Sequence, residues 1–337
     1  MPIPMLIFGV LLPLLAATAW FCAVSFVVYR WEPAKEGSNA TQGSTTSSSM
    51  QHVRWLSGGV GVAASYMVAY VGLLGWPSLT LGETTTRMFW LLPCVVAFSV
   101  FSSWRGVSKW LSALLWSLLL FGATWWCFGV MARNGAWTLT QSIVYMASVV
   151  VAGLSWWWCL QQWAETLTDT EVAWSSMLYG IGTSVLLILS SSAKTSQLVG
   201  AAVSALGVWW FASWVFRRWI TLELRQSVVP VLVFVLLFGV ASGKFEANLS
   251  WTSLGVLWGI PILLWAQRSF IPIRSSIWKR MGVQSGLVLV PLGLAVALLL
   301  AKQAAPDADD DDAYGWILHP PCSPKTMPVN KLPTSTT

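Results

Sequence analysis

Charge is what this chain has least of: Asp, Glu, Lys and Arg together make up 9% of its 337 residues. Soluble domains carry nearer a quarter, so an ordinary soluble fold is excluded. Histidine is almost missing. His52 and His319 are the only two, and His319 with Cys322 falls short of the four ligands of a closed zinc site. The five cysteines, at 22, 94, 127, 159 and 322, contain no CxxC pair. They give no disulfide framework, and the four in apolar runs read as small core residues. A phosphate loop, a GxSxG elbow, an HExxH and a CxxCH are all absent, so nothing here names a reaction. No repeat aligns between the two halves of the chain.

What fills the chain instead is apolar: 56% of residues are hydrophobic, and 25 are tryptophan. A membrane span needs roughly 20 apolar residues to cross a hydrocarbon core of about 30 Å. Ten such runs can be placed, at 3–29, 55–79, 88–103, 110–131, 138–160, 173–192, 197–216, 227–242, 249–266 and 283–301. The expected fold is an all-α polytopic transmembrane helix bundle of about ten spans. Its divisions are a first transmembrane span (1–30), a flexible polar linker (31–54), a helical core (55–301) and an acidic, Pro-rich tail (302–337). The linker is rich in Ser, Thr and Gly, which bury too little surface to offset the entropy of ordering. The first run has no basic residue before it and continues to Tyr29, so it reads as an uncleaved span.

Orientation follows from lysine and arginine, which accumulate on cytoplasmic loops. The stretch WWFASWVFRR, Trp209 to Arg218, is the sharpest boundary: an apolar, aromatic run stopping at two arginines. Counted over alternate connectors, twelve basic residues fall in one set, including Arg105, Lys109, Arg274, Lys279 and Arg280. The other set holds four: Arg87, Arg133, Lys194 and Lys244. The richer set is placed in the cytoplasm and both termini outside.

Candidate sites are few. Glu165 and Asp169 lie in a connector with no basic residue beside them, and on a helix their spacing of four would put them on one face. They read either as a cation site or as solvated acids. Tyr66 with Tyr70, and Gln141 with Tyr145, are also four apart. They either line a polar path or serve interhelical hydrogen bonds. Gly239 and Gly243, Gly255 and Gly259, and Gly282 and Gly286 form three GxxxG pairs, expected at close helix contacts. On that reading, Leu at 255 or 259 costs about 1–3 kcal/mol. Every placed Asp and Glu falls in a loop or the tail, which excludes an ion-coupled carrier with a carboxylate at membrane depth. No catalytic residue, cofactor or metal is expected. The implied partners are the lipid bilayer and other membrane proteins, not nucleic acid. A scaffold, binding or accessory component leads. A carrier or flippase for a neutral or amphipathic solute follows, then an enzyme on lipid-linked substrates.

Overall fold

A computed structural model of the chain describes residues 11–31, 48–78, 83–102, 107–215, 225–247, 249–270 and 276–304. Ten helices occur among them: α1 (Leu12–Trp31), α2 (Ser48–Leu74), α3 (Thr84–Ser102), α4 (Lys109–Arg133), α5 (Leu139–Ala164), α6 (Asp169–Leu189), α7 (Ala193–Val215), α8 (Arg225–Phe245), α9 (Trp251–Phe270) and α10 (Ile277–Ala304). Residues 1–299 form one compact unit. Of a second, 300–337, only 300–304 are described, as the end of α10. The tail beyond, and most of the polar linker, lie outside the described residues, although α2 takes in 48–54.

Seven helices, α3 to α8 and α10, are long and apolar enough to cross a membrane. The chain is therefore an all-α polytopic membrane protein. The apolar stretches described in α1 and α2 are shorter, Leu12–Val24 and Gly58–Leu74. α9 carries Thr252, Ser253, Pro261 and Gln267 among its apolar residues.

Local chemistry sets the helix ends. Ser108 caps α4, its hydroxyl accepting from Leu111 N. Thr138 and Gln141 close a reciprocal capping box at the start of α5, which satisfies two amides that a helix otherwise leaves open. Between α4 and α5, Gly135 takes a left-handed φ of 74°, and Ala136 N reaches back to Met131 O. The α6–α7 turn repeats this geometry with Ser191 at φ 68° and Ser192 N bonded to Leu187 O. Both are Schellman-type stops.

α8 is the axis of the bundle. Every residue from Ser227 to Gly243 is buried, and α2, α3, α5, α6 and α7 pack around it. Its sequence, SVVPVLVFVLLFGVASG, is apolar on all sides, the pattern of a helix enclosed by others. Close approach is built in. Ser99 Oγ donates to Ser227 O at 2.6 Å, and Gly59 N donates to Ser227 Oγ at 3.3 Å.

Polar contacts sort to two ends. At one, Lys194 pairs with Glu83 at 3.2 Å, Thr84 bonds Glu246, and Arg87 Nη1 donates to Trp126 O and Cys127 O, both at 2.8 Å. At the other, Lys109 pairs with Glu165 at 3.4 Å, Arg280 with Glu171 at 2.8 Å, and Thr170 meets Ser213 at 3.2 Å. Each contact joins residues towards one and the same end of the bundle, so α3 to α10 alternate in direction.

Candidate functional site

The start of α6 determines the most polar seam in the bundle. Thr168 and Glu171 form a capping box in which Thr168 N and Thr168 Oγ1 donate to Glu171 Oε2 at 2.9 and 2.7 Å. That box begins the helix at Asp169 and carries Glu171 into the bundle, where it is fully buried. Its other oxygen, Oε1, stands 2.8 Å from Arg280 Nε of α10, a charge contact more than an aligned hydrogen bond. One turn further along both helices, Ser175 Oγ donates to Gln284 Oε1 at 2.9 Å, and beside it Trp174 Nε1 donates to Ser285 Oγ at 3.0 Å. α6 and α10 thus run parallel, joined rung by rung.

This arrangement corrects the placement of carboxylates. Glu171 is not in a loop, and the acids of this region are not without cations: Arg280 meets Glu171 and Lys109 meets Glu165. Both partners are remote in sequence, more than 50 residues away in each case, beyond the reach of local reading. The capping box is different. Its T-x-x-E spelling is present at 168–171 and is the signal that brings Glu171 inside.

Glu165 and Asp169 do not share a helix face. Glu165 is the exposed C-cap of α5, and Asp169 opens α6 after a turn. Gln141 is an exposed capping residue, and Tyr145 packs its ring 5.1 Å from Trp137 and 5.4 Å from Phe245. Tyr66 and Tyr70 are buried between α2 and α3. Tyr70 Oη meets Thr86 Oγ1 at 2.6 Å, and Tyr66 Oη reaches Met88 Sδ at 3.8 Å. These six residues are not brought to one place.

The glycine pairs divide. A Cβ at Gly239 would stand 2.8 Å from Val199 Cγ2 of α7, and one at Gly243 would collide with Leu187 of α6. At Gly255, Gly259, Gly282 and Gly286 an added Cβ meets nothing within 4 Å. Their small size serves no contact with any described part of this chain.

A second polar cluster closes the opposite end. Arg87 is buried in the first turn of α3, its charge lying on the two α4 carbonyls. Glu246, held by Thr84 and Ser242, stands at the N-terminus of the same helix, where a carboxylate suits the dipole. Among the described residues no group of three His, Cys, Asp or Glu is placed so that it could hold a metal ion. No protein-family model, curated protein or solved structure matches this chain.

Proposed function

We propose that this chain is a membrane scaffold, binding or accessory component. The observation that carries the reading is α8. A carrier needs its centre for a solute path, and here an unbroken apolar helix of Val, Leu and Phe occupies it. The tie between α6 and α10 then fixes one outer helix in place. The same reading takes all ten helices as spans, with 31–54 as a linker and 302–337 as a solvated tail. It puts the end holding Lys109, Glu165 and Arg280 in the cytoplasm and both termini outside.

The carrier or flippase reading is second, favoured by one observation: Glu171, Arg280, Ser175 and Gln284 form a polar ladder inside the bundle. A single assay separates the two. Protein reconstituted into vesicles is measured for translocation of fluorescent phospholipid and for uptake of neutral amphipathic solutes, with and without a proton or sodium gradient. The scaffold reading expects rates equal to those of protein-free vesicles. Translocation that Glu171→Gln abolishes would replace it with the carrier.

A further inference from the structure

We propose that the outer face of α10 binds one anionic phospholipid, its headgroup on Lys279 and Trp278 and an acyl chain along Gly282 and Gly286. From 268 to 280 the sequence holds Arg268, Arg274, Lys279 and Arg280 and no acidic residue. The carboxylate that reaches this end of α10 is Glu171, and it is engaged by Arg280. Lys279 is exposed and has no carboxylate partner among the described residues. Lys109 is the useful contrast. It also sits beside an exposed tryptophan, Trp110, but Glu165 meets its charge at 3.4 Å.

Trp278 is 64% exposed at the head of a helix that crosses the membrane. Indole favours the interface, where its N–H reaches polar headgroup atoms and its ring the first methylenes. Below it, Gly282 and Gly286 follow at steps of four, on the same helix face as Trp278. A Cβ added at either would meet nothing within 4 Å, and Val283, Leu289 and Val290 beside them are exposed. Glycine costs a helix about 1 kcal/mol relative to Ala at each position. A smooth face below the exposed Lys279 gives that cost a use, because an acyl chain can lie against the backbone. Charge complementarity selects the lipid: a zwitterionic headgroup offers Lys279 no net attraction, an anionic one does.

Purified protein in mild detergent is titrated with phosphatidylglycerol and with phosphatidylcholine, and bound lipid is counted by native mass spectrometry. Wild type is expected to prefer phosphatidylglycerol. Lys279→Gln should weaken that lipid about fivefold and leave phosphatidylcholine unchanged. Gly286→Leu should weaken both, by covering that face. Lys194→Gln, which removes the same charge at the opposite end, should change neither. Unaltered binding to Lys279→Gln would overturn the proposal, as would competition by glycerol phosphate, which marks a free-phosphate site. A Gly286→Leu variant that loses a dimer and keeps its lipid would give the face to a second copy of the chain.

Discussion

Glu171 does three jobs with one carboxylate. It caps α6 through Thr168, neutralises Arg280, and thereby attaches α10. Removing one partner from a buried pair leaves the other charge desolvated, which costs roughly 3–5 kcal/mol in well-buried cases. Arg280 keeps 12% of its side chain exposed, so the lower end of that range applies. Glu171→Ala should therefore destabilise the protein by about 3 kcal/mol in detergent thermal or SDS unfolding. The double variant Glu171→Leu with Arg280→Met should recover most of the loss. A double variant as unstable as the single one would mean that Glu171 matters as a cap and not as a counter-charge.

At the scale of helices, α8 and α10 are opposites. In an apolar 18-residue stretch of α8, within Ser227–Phe245, 89% is buried, against 28% of such a stretch of α10, within Ile277–Lys302. The same substitution should then give two outcomes. Gly243→Leu drives a side chain into Leu187, and overpacking of this kind costs about 1–3 kcal/mol. At Gly286 an added Cβ meets nothing within 4 Å, so Gly286→Leu should leave lipid-free stability unchanged or raise it by up to about 1 kcal/mol as glycine's helix cost is removed. Parallel unfolding curves of the two variants check this. The contrast also marks what sequence made legible. GxxxG spacing names a smooth face but not what lies opposite it, so the six glycines look alike until α6 and α7 are placed. The apolar runs were readable because a bilayer demands them. Hydropathy starts α6 four residues late, at 173, because it sees Asp169 and Glu171 as loop, whereas the capping box begins a helix with them.

For the whole molecule, the two polar ends are the testable unit. Glu83 and Lys194 belong to one, Lys109 and Glu165 to the other. With the native cysteines replaced, a single Cys at 83 or 194 should react with an impermeant thiol reagent added to intact cells. One at 109 or 165 should react only after the membrane is opened. The reverse pattern would turn the orientation over, and with it the positive-inside argument from connectors. The alternation of α3 to α10 was legible in the order of the apolar runs, and the basic residues add only the proposed orientation. The ion pairs that bind each end were not legible, because their members lie between 56 and 111 residues apart.

The position of α8 bears on how the chain is made. Of the helices packed against it, α2, α3, α5, α6 and α7 precede it in the chain and α9, in slighter contact, follows, so the ribosome delivers most of the wall before the pillar. Until residue 245 emerges, that wall has no centre, and its inward faces must meet lipid or one another. At about 5–20 residues per second, synthesis of the 21 residues of α8 lasts from about one second to about four. Final closure of the bundle is thus a late biosynthetic event. A chain stopped before Arg225 would carry most of the helices and none of the axis.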